Sequence, residues 1–138
     1  MNNINAEFYS GHSGKLFRLT RTPPEINAHI IYITPLFEQA NQTRHMQTKL
    51  ALNAYKLGVK SIVFDHFGCG DSEGELTQAS LVIWQQDIIK QLIELKAVTS
   101  KPIYLSCLLS SVLLLSDAII TLIDGLLLAQ PEFNGKRF

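Results

Sequence analysis

The sequence has few of the residues that mark secreted, metal-binding or nucleic-acid-binding proteins. Two cysteines among 138 residues are too few for a disulfide framework, and their spacing does not suit a metal site. Twelve Lys and Arg residues balance twelve Asp and Glu residues, and no basic run suggests nucleic acid as a partner. The polar start "MNNINAEFYS" lacks the apolar region of a signal peptide. We therefore expect a cytoplasmic protein with no metal or other cofactor.

One long apolar run raises the question of a membrane span. Residues 105–129 read "LSCLLSSVLLLSDAIITLIDGLLLA", which is nearly long enough to cross a bilayer. Asp117 and Asp124 interrupt the run, and a central Asp costs roughly 2.5–3.5 kcal/mol on insertion scales. A buried helix followed by a buried strand is therefore the better interpretation, with no membrane span.

Apolar strand-like runs alternate with helix-like segments along the chain. Two short runs, "EFYS" and "KLFRLTR", flank "GHSG" and predict an antiparallel hairpin. Four further runs predict buried strands: "HIIYITPL", "VKSIVFDHF", "PIYLSCL" and "GLLLAQP". Strands alternating with helices imply a mostly parallel sheet covered on both faces. We expect one domain over residues 1–138, because a chain of this length builds one ordinary core.

Three helices are predicted between the strands. The first begins at Asn41 or Thr43 and runs to Leu57, with Gly58 suited to a left-handed cap. Its apolar residues Met46, Leu50, Ala54 and Leu57 fall on one face. The second helix carries an apolar face of Trp84, Ile88, Leu92 and Leu95. The third helix is predicted over "SSVLLLSDAIITL", which is apolar almost all round.

Several segments carry a resemblance to a known group of proteins: "GHSGKLF", "ITPLFEQANQTRHM", "FDHFGCGDSEGEL", "LLLAQPEFNGKRF" and the Trp84 helix. Their succession resembles the first part of the α/β-hydrolase fold. The residues look most like the type 2 hydrolase-like proteins associated with the exosortase A system, from about Phe8 to Phe138. The resemblance implies an incomplete α/β-hydrolase fold, in which an N-terminal hairpin precedes a mostly parallel sheet and the final strands are missing.

The segment "GDSEG" fits the G-x-S-x-G pattern of a nucleophile elbow centred on Ser72. An elbow requires a strand that runs directly into a helix, whereas the next helix is predicted to begin five or more residues later. In the resembled fold this segment is the loop after the fourth strand. We predict that Gly68, Gly70 and Gly74 let the loop turn sharply while Asp71 or Ser72 bonds local backbone. Ser72 stays as a weak alternative nucleophile.

The resemblance places the true elbow directly after "PIYLSCL". The expected spacing puts Cys107 and Ser111 at the small positions and Leu109 at the nucleophile position, where a leucine cannot attack. Neighbouring registers place Cys107 or Ser110 between bulky side chains, which would crowd the turn. Members of the resembled family usually have an arginine between glycines here, and this sequence lacks both.

The other members of a catalytic triad have no counterpart in the sequence. In this fold the acid and the histidine follow later strands, and the sequence ends at Phe138, soon after the predicted sixth strand. Only His66, beside Asp65, lies near the expected pocket. His29 at a strand start and His45 on a helix are predicted to be solvated or structural.

The resemblance also implies two backbone donors for an oxyanion. One lies around Leu36 and Phe37, after the third strand, and the other is the amide of Ser110. An ordinary strand-to-helix loop explains these segments equally well. Cys69 has no cationic neighbour in the sequence, so we expect an inert small residue there rather than a reactive thiol.

Three functions stay open on this sequence. The favoured one is a hydrolase-like protein that is inactive as this chain alone and acts in binding or as a scaffold. A hydrolase of esters or thioesters that uses Ser72, or that a partner chain completes, is the second. A truncated product of a longer gene is the third. The apolar last strand would form an exposed edge, which predicts a homodimer or a complementing subunit.

Overall fold

The computed structural model describes residues 4–130, with Glu38 described by its backbone alone. The strands are β1 (Ile4–Ser10), β2 (Lys15–Arg21), β3 (Ala28–Ile33), β4 (Val59–Phe64), β5 (Ile103–Leu108) and β6 (Gly125–Ala129). The α-helices are α1 (Glu38–Lys56), α2 (Leu81–Val98) and α3 (Asp117–Thr121), and two 3₁₀ helices span Leu76–Gln78 and Leu109–Leu114.

All six strands form one mixed sheet in the order β1-β2-β4-β3-β5-β6. The hairpin strands β1 and β2 pair antiparallel, and β2 pairs antiparallel with β4. The pairs β3–β4, β3–β5 and β5–β6 are parallel. Every residue of the central strand β3 is buried, as expected for a parallel strand covered on both faces. The predicted hairpin followed by a mostly parallel sheet is confirmed.

The first helix begins earlier than the sequence predicts. α1 starts at Glu38, so Asn41 and Thr43 lie inside it and neither caps it. The hydroxyl of Thr43 donates to the carbonyl of Gln39, which satisfies the side chain within the helix. The end of the helix agrees with the prediction, because Gly58 follows with φ 78° and accommodates a left-handed backbone without a Cβ clash.

The predicted apolar face of α1 is wrong. Met46 and Leu50 are exposed and Leu57 is 76% exposed, whereas the buried side chains of this helix are those of Thr43, Gln47 and Ala51. Polar and small residues therefore cover the sheet on this side. Hydrophobic periodicity misses such a face, because it assigns the inward side to the largest apolar residues.

The third predicted helix is also wrong. Its segment divides into the 3₁₀ helix Leu109–Leu114 and the short helix α3, with a break before Asp117. The Ser116 hydroxyl accepts from the amide of Ile119 and so caps a new helix in the middle of the apolar run. Within residues 4–130, no helix has both the length and the apolar character needed to cross a membrane.

The main core lies between the sheet and α2. The predicted inward face of this helix is confirmed, since Trp84, Ile88 and Leu92 are buried against Phe64 and Leu105 among other residues of the sheet. Ser80 caps the helix with its hydroxyl on the amide of Ile83, so α2 begins only after the long glycine loop has ended.

A buried acid ties the hairpin loop to α2. Asp87 is 1% exposed, and its Oδ1 accepts from the amide of His12 at 2.7 Å. Its Oδ2 has no hydrogen-bond partner among the described residues, and the same holds for the hydroxyl of Tyr9 and the side-chain amide of Gln91. Burial raises the pKa of Asp87, because the charged form loses its solvation.

We predict that Asp87→Asn raises the free energy of unfolding at pH 7. The amide keeps an Oδ1 acceptor for His12 but carries no buried charge. Because the pKa of Asp87 is raised from 3.8 in the folded state, the wild type loses stability as pH rises through that shifted pKa. The advantage of the variant should therefore disappear below about pH 4. Urea unfolding across a pH series measures it.

The matched control for this prediction is Asp71→Asn, which removes the same charge from an exposed position. It should leave the free energy of unfolding nearly unchanged at every pH. A stability difference between Asp87→Asn and the wild type that does not vary with pH would show that the buried Asp87 carboxyl is not the titrating group.

Candidate active site

The candidate site lies where the central parallel strands end. The loops that follow β3, β4 and β5 meet at the carboxyl edge of the sheet, which is where ligands bind in open α/β folds. The three loops contain the segments that the resemblance implicates: Leu36 and Phe37 after β3, the glycine loop after β4, and Leu109 and Ser110 after β5.

Leu109 occupies a strained turn between β5 and a 3₁₀ helix. Its φ is 54°, in the left-handed region, where a non-glycine residue costs about 1–3 kcal/mol. The Ser111 hydroxyl accepts from the Leu108 amide at 2.8 Å and donates to the Leu108 carbonyl at 2.9 Å, which holds the turn closed. A positive φ directly after a strand is a feature expected of a nucleophile elbow, and here the residue that has it is a leucine.

The two backbone donors beside this turn are already occupied. The amide of Leu36 donates to the Ser110 hydroxyl at 2.8 Å, and the amide of Ser110 donates to Oε1 of Gln39 at 3.1 Å. Phe37, which directly follows Leu36, also has a φ in the left-handed region, at 57°. A developing oxyanion would have to displace both side-chain oxygens before it could accept from these N–H groups.

Ser72 lies on the loop after β4, and α2 begins nine residues later at Leu81. Its hydroxyl accepts from the amide of Phe17 at 2.9 Å and donates to the carbonyl of Asp65 at 2.7 Å. These two bonds join β2 to the loop. They also use the hydroxyl proton and a lone pair, so Ser72 has no base partner among the described residues.

The glycine loop around Ser72 depends on left-handed backbone. Gly68, Gly70 and Gly74 have φ values of 81°, 53° and 93°. A Cβ on Gly74 would overlap the ring of Phe67, so a larger residue would have to displace a buried aromatic side chain. The loop therefore folds back tightly on its own residues.

His66 is the histidine that lies at the candidate site. It is buried, and its Nε2 donates to the carbonyl of Thr34 at 2.7 Å, while its Nδ1 has no partner among the described residues. The ring lies 5.5 Å from the ring of Trp84. Burial lowers the pKa of His66, so the imidazole is neutral at pH 7.

The other candidate nucleophiles and histidines are held in structural positions. Burial raises the pKa of Cys69 and raises that of Cys107 to about 11, so neither thiol is a thiolate at neutral pH. His29 is buried with its Nε2 3.0 Å from the Thr99 hydroxyl, whereas His45 is exposed on α1. Within residues 4–130, no cluster of His, Cys, Asp and Glu side chains could hold a metal ion.

Two adjoining clefts open along the loop that follows β3. One, of about 150 Å³, is lined by Thr34, His66 and Cys69, and the other, of about 320 Å³, is lined by Ala79, Leu81 and Leu113. They share four lining residues: Leu36, Phe37, Leu76 and Trp84. The larger cleft is mainly apolar and has the volume of a small-ligand site.

Sequence reasoning missed the part that two polar side chains play at this site. The amide oxygen of Gln39 and the hydroxyl of Ser110 both accept from backbone donors that the resemblance assigns to an oxyanion. Gln39 follows Phe37 by two residues in "LFEQAN", so its position near the loop could be anticipated. The direction in which its side chain points could not be anticipated, because it depends on α1 beginning at Glu38.

We predict that Ser72→Ala lowers the free energy of unfolding by about 1–3 kcal/mol, because it leaves the amide of Phe17 without its acceptor. Urea unfolding measures the change. Ser13→Ala is the control, since that exposed hydroxyl is 3.3 Å from the neighbouring His12 ring and contacts no distant element. Equal stability of the two variants would contradict the bridging role of Ser72.

Known structures share this architecture, although no protein-family model and no curated protein matches the sequence. An α/β serine hydrolase without a lid from Xanthomonas campestris is 19% identical, with a TM-score of 0.76. The match covers 91% of this chain and 60% of the Xanthomonas chain. An α/β serine hydrolase homologue from Coxiella burnetii is 18% identical, with a TM-score of 0.67 over 93% and 73%. Est1E from Butyrivibrio proteoclasticus, solved with ferulic acid, is 20% identical, with a TM-score of 0.69 over 88% and 51%.

The chain thus spans about three fifths of the length of the Xanthomonas protein. At these identities the similarity shows the fold. The hairpin, the parallel strands and the flanking helices together make a partial α/β-hydrolase fold, and the solved structures that resemble it are α/β serine hydrolases.

Proposed function

We propose that this chain binds a small apolar ligand in the two clefts that share Leu36, Phe37, Leu76 and Trp84, and does not hydrolyse it. The observation that carries the proposal is Leu109, which occupies the elbow apex at φ 54° and offers no nucleophile there. A hydrocarbon side chain has no lone pair with which to form an acyl-enzyme intermediate.

The hydrogen bonds around the turn support the same conclusion. Because the amides of Leu36 and Ser110 donate to side-chain oxygens, stabilising an oxyanion would first require these bonds to break. Preorganised donors contribute to catalysis because they need no such rearrangement. In this structure the side-chain oxygens of Ser110 and Gln39 already accept from these two amides, so neither donor is free to stabilise an oxyanion.

The competing proposal is an ester or thioester hydrolase that uses Ser72. The two backbone bonds of its hydroxyl argue against it, and Ser72 does not line either cleft. His66 is no base for it, because its Nε2 donates to Thr34 and it has no hydrogen bond to Ser72. We therefore propose a positioning role for Ser72 within the loop after β4.

The cleft itself supports ligand binding. Its shared wall contains Trp84, whose indole nitrogen donates to the carbonyl of Phe67 at 2.8 Å and whose ring packs against those of Phe37 and His66. Phe37 and Leu76 are about half exposed at the cleft. Exposed apolar side chains that line a concave site are available to bury an aliphatic group.

We expect the purified chain to bind a short aliphatic ester without turning it over. Trp84 is the one tryptophan of the sequence, so its fluorescence should change saturably as ethyl butyrate is added. p-Nitrophenyl butyrate should be hydrolysed at the background rate by the wild type and by Ser72→Ala alike. A fluorophosphonate probe should label no serine.

Leu81→Lys is the control for the binding signal, because it places a charge at the wall of the larger cleft without touching the turn. It should weaken the fluorescence titration. Covalent labelling of Ser72, or ester hydrolysis that Ser72→Ala abolishes, would establish the hydrolase instead. A Trp84 signal that does not saturate would contradict the ligand-binding part of the proposal.

The narrower family assignment is part of this proposal. The segments "GCGDSEG" and "QPEFNGKRF" support kinship with the type 2 hydrolase-like proteins of the exosortase A system, although residues 131–138 lie outside the described part of the chain. A cytoplasmic location is part of the same proposal. A gene for this chain beside exosortase genes would strengthen the assignment.

The last strand supports a further proposal about partners. β6 is the outer strand of the described sheet, and Leu127 and Leu128 on it are 56% and 45% exposed. An apolar outer strand can pair with a strand of another chain. We propose that a second copy, or a complementing subunit, pairs along β6.

We predict that the purified chain elutes as a dimer on size exclusion with light scattering, and that Leu127→Lys shifts it toward monomer. A lysine on an edge strand disfavours strand pairing, because it places charge at the apolar contact. Val98→Lys, at an 81%-exposed position at the end of α2, is the matched control and should leave the dimer intact. A monomer at every concentration would exclude the homodimer and leave the complementing subunit.

A further inference from the structure

An arginine whose Nε is buried and unpaired lies under α1. Arg21, the last residue of β2, is 9% exposed, and its Nε is buried with no hydrogen-bond partner among the described residues. The ion pairs of residues 4–130 are Arg18–Glu7 and Lys90–Glu94, so Arg21 is in neither. Its terminal nitrogens are not among the buried unpaired atoms, so the guanidinium group can present them to the adjoining cavity.

Arg21 lines a cavity of about 130 Å³ between α1 and the strands β2 and β4. Arg44 and Gln47 of α1 line the same cavity, and Gln47 is 4% exposed. Two guanidinium groups and one amide therefore bring hydrogen-bond donors to one cavity, with Arg44 at its exposed side. Asp65 also lines the cavity, with its Oδ2 accepting from the amide of Asp71, so two positive side chains face one negative one.

The register of the sheet adds a second unsatisfied group on the same side. Arg21 and Ser61 are paired across β2 and β4, and the Ser61 hydroxyl is buried without a partner among the described residues. Paired residues on one face of an antiparallel ladder have Cβ atoms about 4.5–5.5 Å apart. Two orphaned polar groups so close together indicate a missing binding partner rather than an isolated packing defect.

We propose that this cavity binds a phosphoryl group, either as free phosphate or as the head of a phosphomonoester. An oxyanion supplies the negative counter-charge that Arg21 does not receive from either ion pair. Guanidinium groups bind phosphate through parallel N–H···O bonds. Donors converging from β2 and from α1 suit the several acceptor oxygens of a tetrahedral anion better than the two oxygens of a planar carboxylate. The cavity adjoins the smaller of the two clefts and shares Thr34, Ala40, Arg44 and Asp65 with it. The phosphoryl group proposed here is a different ligand from the apolar one proposed for the clefts.

Isothermal titration of the full chain with inorganic phosphate tests the proposal, with sodium chloride balancing the ionic strength. We expect saturable binding with one site per chain. Glycerol phosphate in a parallel titration separates the two sources, since tighter binding than phosphate identifies an ester head and weaker binding identifies the free anion. Acetate should bind at least tenfold more weakly than phosphate.

Three variants tie the signal to the cavity. Arg21→Met should abolish phosphate binding, and Arg44→Gln should weaken it by roughly tenfold or more, the loss expected for one charged hydrogen bond. Lys49→Gln removes a positive charge from an exposed position of α1 outside the cavity and should bind phosphate as the wild type does. If Arg21→Met does not fold, Arg44→Gln against Lys49→Gln decides the question.

Two results would overturn the site. One is the absence of saturable heat in the wild type at tens of millimolar phosphate. The other is an equal loss of affinity in Arg44→Gln and Lys49→Gln, which would indicate general charge attraction. Phosphate stabilises many proteins non-specifically, so a rise in melting temperature common to the wild type and every variant would not count as binding.

Discussion

The hydrogen bond from the amide of Leu36 to the hydroxyl of Ser110 determines what the carboxyl edge of this sheet can do. It joins the loop after β3 to the turn after β5, two segments 74 residues apart in the chain. Because Ser110 is fully buried, the bond forms in a medium of low polarity, where leaving the amide unpaired would be expensive. The bond therefore fixes the two loops relative to each other, and the Leu36 amide has a structural role.

Two residues at this edge of the sheet have strained backbone, although neither carries a reactive side chain. Phe37 and Leu109 both have left-handed backbone, at φ 57° and 54°, and neither is a glycine. Strained backbone persists where the surrounding structure determines it, here through the Ser111 hydroxyl on both polar groups of Leu108. The turn thus keeps the shape that presents a side chain in this fold, while the side chain presented is apolar.

The sequence predicted those parts of the fold that depend on local pattern. Continuous apolar runs located the strands, and the spacing of Trp84, Ile88 and Leu92 located the inner face of α2. It failed where polar groups decide the structure: Ser116 begins a new helix within an apolar run, and Thr43 and Gln47 lie on the buried face of α1. At the site, the pattern placed Leu109 but not the hydroxyl and amide oxygens that accept from the neighbouring backbone. These contacts join residues far apart in the chain, so no local signal carries them.

Two buried charges in this fold differ in how their burial can be relieved. Asp87 lies under the hairpin loop with Oδ2 unpaired, and a carboxyl group escapes the penalty of burial by taking up a proton, as its raised pKa indicates. Arg21 lies under α1 with its Nε buried and unpaired among the described residues, and it lines a cavity together with Arg44 and Gln47. A phosphoryl group bound there, as proposed, would give Nε an acceptor and the guanidinium group a counter-charge.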